Sequence, residues 1–258
     1  MDQGHAGLAF VLWLVLAGGS NAWAAVREPP PTSEACLACH SDPDLKKELE
    51  KGRVVSLFVD AAHLARSPHK GFTCVQCHAD IREVPHTQPP ATPGVEVCQG
   101  CHQKAVAEYR ESAHWGRIAR GETGAPTCRS CHGPAHGILS SRDPASPTYH
   151  LNLPRTCAQC HADPELVRRY NIPGANVYLL YMDSIHGRAL TRSGLLVAAN
   201  CSDCHGHHDI RRRTDPAARV YRTNIPGTCG RCHAGLREQY EQGVHGIAVK
   251  GGNTVAPV

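Results

Sequence analysis

The sequence predicts a mainly α-helical chain with much irregular coil, little regular secondary structure and a minor β element near 52–60. Three observations carry that expectation. The 258 residues include 24 Gly and 19 Pro, too many turn formers for long regular elements. Three Phe, three Trp and two Met cannot fill the interior of a chain this long, so apolar bulk must come from something other than side chains. Fourteen Cys and 18 His set the chain apart from a disordered composition. The net charge of +4 is too small and too scattered for a nucleic-acid surface, and the longest basic run is Arg211–Arg213.

Taken in chain order, residues 1–24 read as a secretory signal. Leu8 to Gly19 is an apolar stretch of suitable length, and Ala22-Trp23-Ala24 is a small-residue cleavage site. The segment ahead of it carries Asp2 and His5 but no Lys or Arg, which leaves an uncleaved anchor as the alternative. No later stretch reaches the roughly 18 apolar residues of a membrane span, so a mature chain of 25–258 is expected to be exported and to have no span. Gly52 to Asp60 alternates enough for a strand or hairpin. Helices are expected at 60–67, ahead of Pro68; at 105–118, carrying His114; at 163–170, with Asp163 as N-cap and Pro164 in the first helical position; and at 175–190, carrying His186. The Pro-rich stretches 27–33, 85–93 and 143–154 are expected to be linkers.

Every cysteine belongs to one pentapeptide, Cys-x-x-Cys-His, repeated seven times with none left over. The copies are Cys36/Cys39/His40, Cys74/Cys77/His78, Cys98/Cys101/His102, Cys128/Cys131/His132, Cys157/Cys160/His161, Cys201/Cys204/His205 and Cys229/Cys232/His233. This is the attachment pattern for a c-type haem. The two thiols add to the haem vinyl groups, and the His that follows lies under the iron as proximal ligand. Disulfides suit an exported protein with an even number of Cys, but they give no reason for a His after every pair. Zinc sites use Cys-x-x-Cys in twos, and seven is an odd number of half-sites. Thioredoxin-like motifs occur singly in a strand–helix setting that is absent here. The expected cofactor is seven covalently attached haem c groups, whose porphyrins supply the missing apolar bulk.

The chain repeats itself. Asp143 to Cys157 aligns without gaps with Asp215 to Cys229, both carrying Asp-Pro, Tyr, Asn, Pro and Thr-Cys in register. Tyr109 and His114 follow His102 at the same offsets at which Tyr240 and His245 follow His233. The unit is two haem motifs, which predicts repeats at about 34–90, 96–140 and 155–210 and an incomplete one at 227–258. After His114, 13 residues lead to Cys128; after His245, 13 residues lead to Val258. The expectation is a chain cut just before an eighth motif. Distal iron ligands are expected from His69, His114, His186 and His245, which stand between paired motifs in Ser-x-His or x-x-His-Gly settings. Three more are expected from His86, His136 and His208, which follow the second motif of a unit. That makes one distal His for each proximal one. His63 and His150 are expected to be non-ligands, and His207 competes with its neighbour His208. Tyr109, Tyr149, Tyr221 and Tyr240 are expected on haem faces or edges, with a polar surface role as the alternative.

On the seven motifs, the Ser-x-His-Gly-like segments and the Cys-x-x-Cys-His-Gly-x-His form at 201–208, residues 36–258 resemble the periplasmic multihaem c-type cytochromes of the doubled-Cys-x-x-Cys-His, class III-like kind. Ser-Pro-His69-Lys-Gly and Gly-Val-His245-Gly depart from the Ser-x-His-Gly form. The resemblance implies a haem-packed fold, closely spaced bis-His haems, and electron transfer in bacterial anaerobic respiration between redox protein partners. Those partners would be a membrane quinol dehydrogenase on one side and a terminal reductase or outer-membrane cytochrome on the other. It implies a periplasmic or extracellular location and an electron carrier rather than an enzyme. The enzyme alternative is a multihaem reductase of nitrite, hydroxylamine or a sulfur oxyanion, which needs one open iron. Such enzymes in the pentahaem nitrite reductase family use a Lys-terminated motif, whereas every copy here ends in His. A third reading is a homo-oligomeric filament or outer-membrane conduit subunit.

Overall fold

A computed structural model describes Met1 and residues 29–49, 52–86, 94–174 and 176–258. The signal-like segment and most of the 85–93 stretch lie outside the described residues. Pro31–Val258 form one unit, which is mainly helical: short helices joined by ordered turns, with one small sheet.

Helix α1 (Ser33–His40) starts at Thr32, whose side chain accepts from the Ala35 amide at 3.2 Å, and ends on the first motif. The sheet that follows is the antiparallel pair β1 (Lys46–Leu49) and β2 (Arg53–Ser56), with Lys46 opposite Ser56 and Leu49 opposite Arg53. The expected strand over 52–60 is thus shorter and has a partner upstream. Gly52, at φ +71°, supplies the left-handed turn residue between them. Past Ser56 the chain leaves the ladder and ties back to its start, with Leu57 N–H donating to Leu45 O (2.9 Å) and Val59 N–H to His40 O (2.7 Å). Asp60 then caps α2 (Ala61–Arg66), accepting from the amides of Ala62 and His63.

Two of the expected helices are each a pair. The 105–118 helix is α5 (Gln103–Arg110) and α6 (Ala113–Ala119), with α4 (Val95–Gln99) before them. Ser112 breaks it: its backbone is extended and its hydroxyl accepts from the Trp115 amide at 3.0 Å. The 175–190 helix is α10 (Val177–Asp183) and α11 (Ile185–Thr191), broken by Ser184, whose hydroxyl accepts from the Gly187 amide at 3.0 Å. A Ser cap contributes about 1 kcal/mol, and hydrophobic periodicity alone does not register the break. Near the C-terminus α14 (Ala234–Gln242) and α15 (Val244–Lys250) repeat the corner with extended Gly243 in the cap position.

The stretch 143–154 is not a linker but a set of ordered turns leading into α8 (Leu153–His161). Asp143 Oδ1 accepts from the Ala145 amide (2.8 Å), and Asn152 Nδ2 donates to Pro144 O (2.9 Å) and Ser146 O (2.8 Å). Thr156 Oγ1 donates to Pro147 O (2.7 Å). The aligned stretch makes the same bonds ahead of α13 (Ile225–Cys229): Asp215 Oδ1 from Ala217, Asn224 Nδ2 to Pro216 O and Ala218 O, Thr228 Oγ1 to Arg219 O. The recurring Asp, Asn and Thr are therefore turn-makers. Helix α9 (Pro164–Arg169) starts as expected at Asp163, whose carboxylate accepts from Glu165 and Leu166.

Side chains alone make little core. Among the described residues the buried apolar ones are Val106, Leu190, Ala198 and Ala218, while Leu180, Ile185, Val197 and Val244 stand largely exposed. Among the described residues no helix is long and apolar enough to cross a membrane.

Candidate functional site

On a helix, residues i, i+3 and i+4 share a face, so Cys-x-x-Cys-His presents two thiols and an imidazole to one side. The motifs close α1 and α8, form α7 (Cys128–His132) and α12 (Cys201–His205), and fill α3 (Cys74–Cys77). Where the helix label stops short the turn persists: the amides of His78, His102 and His233 donate to Cys74 O (2.9 Å), Cys98 O (2.8 Å) and Cys229 O (3.0 Å). The second motif of each of the first three units is also capped from within. The residue before the second Cys turns back, so that Gln76, Ser130 and Asp203 side chains accept from the amides of Thr73 (2.6 Å), Thr127 (3.0 Å) and Asn200 (2.8 Å). No disulfide joins any of the fourteen cysteines.

Six motif histidines each face one other imidazole. His40 faces His86 with ring centroids 6.0 Å apart, His102 faces His69 at 6.0 Å, and His78 faces His136 at 6.0 Å. His161 faces His114 at 6.3 Å, His132 faces His208 at 6.2 Å, and His233 faces His186 at 5.9 Å. The pairing crosses repeat units. First-motif residues His102, His161 and His233 meet a His from the unit before. Second-motif residues His78 and His132 meet one from the unit after. His40 meets His86 of its own unit. Among the described residues no imidazole stands across from His205 or from His245, so six motif histidines and six of the seven expected distal ones lie in facing pairs. His233 meets His186, so the seventh motif is not the one left without a facing imidazole.

Local chemistry aims these rings. Gly133 (φ +87°) and Gly206 (φ +91°) follow His132 and His205 in a backbone region closed to most L-residues, and the reversal brings His136 and His208 back toward earlier motifs. At His78 the next residue is Ala79, without that turn, and the following His86 goes to His40 instead. His69, His114, His186 and His245 all stand two residues past a Ser or Gly at the corner (Ser67, Ser112, Ser184, Gly243). His40 Nδ1 lies 2.8 Å from Leu57 O. A carbonyl only accepts, so Nδ1 carries the proton and Nε2 keeps its lone pair free. His208 Nδ1 lies 3.5 Å from Glu108 Oε2. A second-ring-nitrogen partner of this kind orients a metal-ligating imidazole.

Burial holds His69, His78, His132, His136 and His161 below the usual imidazole range, and His114 is pushed down to about 4 by burial, His161 and Arg117. These rings are neutral near pH 7, the form that binds metal. The thiols also run in sequence. Cys36 meets Cys74, Cys98 meets Cys128 and Cys157 meets Cys201 within hydrogen-bonding reach. Cys77 lies near Cys98 and Cys101, Cys131 near Cys160, and Cys204 near Cys229. Burial is the main cause raising the Cys36 and Cys128 thiols, and the hydrogen bond to Cys201 is the main one for Cys157.

Two of the expected attachment residues, Cys39 and Cys232, belong to the motifs at the two ends of this run. Both are exposed, as are Cys77, Cys101, Cys131 and Cys229. They are the second cysteines of the first and the last motif, so the neighbouring motif packs against the other cysteine of the pair: Cys74 against Cys36, and Cys204 against Cys229. Cys39 lies in α1 one turn from Cys36, and Cys232 lies just past α13, its amide donating to Cys229 O at 3.2 Å.

Both nitrogens of His150 are engaged: Nε2 donates to Ala198 O (2.9 Å) and Nδ1 accepts from Asn200 Nδ2 (3.0 Å). His63 sits 3.6 Å from its own helix cap Asp60, and His207 is exposed. The Tyr109 and Tyr240 hydroxyls are pinned to backbone, donating to Pro126 O and Pro257 O. Burial, with Cys128 and Cys131 nearby, pushes Tyr109 up to about 12. Tyr181, which sequence reasoning missed, does the same job: its hydroxyl donates to Ala199 O at 3.1 Å, two residues before Cys201, as Pro126 stands two before Cys128. The signal was there, since Tyr181 precedes His186 by the same interval as Tyr109 precedes His114. Among the described residues no three His, Cys, Asp or Glu side chains converge as ligands for a bare ion. Comparison with family models, curated proteins and solved structures gave no match for this chain.

Proposed function

We propose that the chain is an exported electron carrier that binds seven c-type haems through its Cys-x-x-Cys-His motifs. The observation that supports this reading best is the set of six imidazole pairs. Two metal–imidazole bonds of about 2.0–2.1 Å, plus roughly an ångström from each nitrogen to its ring centre, put two axial rings about 6 Å apart. The six separations run from 5.9 to 6.3 Å. Aromatic pairs in general also span this range, so the weight lies in the selectivity. Each pair joins one motif His to one His outside the motifs.

In this reading the fourteen Cys would carry the thioethers, the exposed Cys39 and Cys232 included. The motif His would be proximal ligands, and His86, His69, His136, His208, His114 and His186 would be distal ones. Two facing imidazoles with no third protein ligand fit a macrocycle that brings its own equatorial nitrogens. A bound haem supplies a one-electron couple there. The chain's own part is to hold the rings apart at ligand distance, to keep His69, His78, His114, His132, His136 and His161 neutral by burial, and to fix His40 and His208 through Leu57 O and Glu108. The order in which neighbouring motifs approach follows the sequence from Cys36 to Cys229, which suits transfer from one end of the chain to the other. The propionates of seven haems would turn the +4 chain anionic and favour docking on basic partner surfaces. The resemblance extends the reading to a periplasmic relay between a quinol-oxidising membrane partner and a terminal acceptor.

The test is to produce the chain with a periplasmic haem-attachment system and to measure covalent haem against protein by the pyridine haemochrome. Seven haems per chain is the expected result, and alanine at Cys128 and Cys131 should lower it to six. A chain that exports, folds and carries no covalent haem would refute the proposal.

A further inference from the structure

His205 is the one motif imidazole that no other imidazole of the described residues faces, and the histidines near it are committed elsewhere or too close in sequence to serve it. His208, three residues on, faces His132 and holds Glu108. His150, the histidine hydrogen-bonded to Asn200 at the start of the same motif, has both nitrogens in hydrogen bonds. His207 is two residues from His205, too few to carry the chain around the edge of a porphyrin to its opposite face. His245 stands exposed on α15, and its ring meets neither His205 nor any other described ring. Yet the α14–α15 corner is built like the α10–α11 corner. Gly246 and Gly187 both lie where a Cβ would come within 2.0 Å of a tyrosine carbonyl, of Tyr240 and Tyr181 respectively. His245 is thus presented as His186 is, with an exposed Val244 beside it where His186 has an exposed Ile185. His205 is exposed as a residue, yet burial of its ring holds it below the usual imidazole range, and the ring makes no hydrogen bond among the described residues.

We propose that the haem held by Cys201, Cys204 and His205 keeps one axial position that this chain's own side chains do not fill, and that this position takes a small exogenous donor molecule. The class is that of ligands to five-coordinate haem iron: carbon monoxide on the reduced form, imidazole or cyanide on the oxidised form. This deepens the haem-protein reading and rests on it. It assigns a ligand-binding site to one named motif and leaves the other six saturated.

The experiment uses the full holoprotein with its haem content measured first. A chain without covalent haem refutes the parent reading and not this one alone. With seven haems present, a carbon monoxide titration of the dithionite-reduced protein should bind one molecule per chain. The oxidised protein should show a high-spin electron paramagnetic resonance signal from one haem in seven, converted to low spin by added imidazole. His69→Ala, which removes a paired distal ligand, should raise carbon monoxide binding to two per chain and so calibrates the assay. An all-low-spin protein that binds no carbon monoxide overturns the proposal. A low-spin protein in which His245→Ala creates a carbon monoxide site also overturns it, and names His245 of a second copy as the occupant.

Discussion

Glu108 Oε2 lies 3.5 Å from Nδ1 of His208, and the far side of the same ring faces His132 across 6.2 Å. Helix α5 thereby reaches a histidine one repeat unit away and engages its Nδ1. A carboxylate on Nδ1 pulls the proton of that nitrogen, raises the basicity of Nε2 and favours the more positive oxidation state of a bound metal. Glu108→Gln keeps the size and removes the charge. The expected result is a rise in one of the seven midpoint potentials on the order of 60 mV, the equivalent of a tenfold change in a one-electron equilibrium. A redox titration followed in the visible spectrum reads it, and an unshifted titration would show that Glu108 only decorates the surface.

Gly187 makes the sharpest packing prediction. A methyl group there would stand 2.0 Å from Tyr181 O and 2.8 Å from its carbonyl carbon, so α10 and α11 would have to part. Gly187→Ala should cost at least about 1–3 kcal/mol, as overpacking does, and Gly246→Ala should behave alike against Tyr240 O. Gly235, inside α14 with nothing within 4 Å of its added Cβ, is the control. Gly235→Ala should be neutral or stabilising by up to about 1 kcal/mol. Thermal unfolding of the three variants separates close approach from helix propensity, and equal melting temperatures would count against the corner geometry.

What the sequence could and could not say divides along locality. The seven motifs, the Asp163 cap and the short helix beginning after Asp60 depend on residues within four or five positions, and these were legible. The breaks at Ser112 and Ser184 were local too, but an apolar helical pattern runs through both, and the cap outweighs it. The imidazole pairs were legible as a set of residues and not as a pairing. Which ring meets which depends on turns such as Gly133 and Gly206 and on packing across repeat units, and no spacing rule in one sequence encodes that. The same holds for the thiols: nothing in the pentapeptide says which cysteine meets which in the neighbouring motif. The 143–154 stretch misled because Pro and Ser mark turns whether the turns are ordered or not. Its order comes from Asn152 and Thr156, whose partners lie six to nine residues back.

That reading of the turns can be tested at Asn152. Its amide donates to two backbone carbonyls, Pro144 O and Ser146 O, and Asn224 repeats the arrangement with Pro216 O and Ala218 O. Asn152→Asp is isosteric but replaces two N–H donors by an acceptor facing two acceptors. Loss of both bonds with repulsion should cost about 1–3 kcal/mol, and more at neutral pH than under acid, where a protonated carboxyl can donate once. Asn152→Ala should cost less than Asn152→Asp at pH 7. Chemical denaturation at two pH values gives the comparison, and a harmless Asn152→Asp would mean the turns hold without the side chain.

The ring planes of four imidazole pairs fall into two contrasting groups, with His78–His136 and His186–His233 between them at 41° and 40°, and this difference is measurable if the pairs are axial ligands. His40–His86 and His132–His208 are near parallel, at 10° and 21°, whereas His69–His102 and His114–His161 are steep, at 74° and 62°. Parallel rings both donate into the same one of the two metal d orbitals that lie perpendicular to the macrocycle, and so split their energies. Rings near a right angle raise the two about equally and leave them close in energy. An oxidised low-spin iron between parallel rings therefore gives a broad, three-component paramagnetic resonance spectrum, and one between crossed rings gives a single feature at high g. The holoprotein should show both kinds of signal at once. Removing one ring by His69→Ala should take away intensity from the high-g class only, while His86→Ala should take it from the three-component class only. A spectrum of one uniform class would contradict the geometry of these four pairs while leaving the motif count untouched.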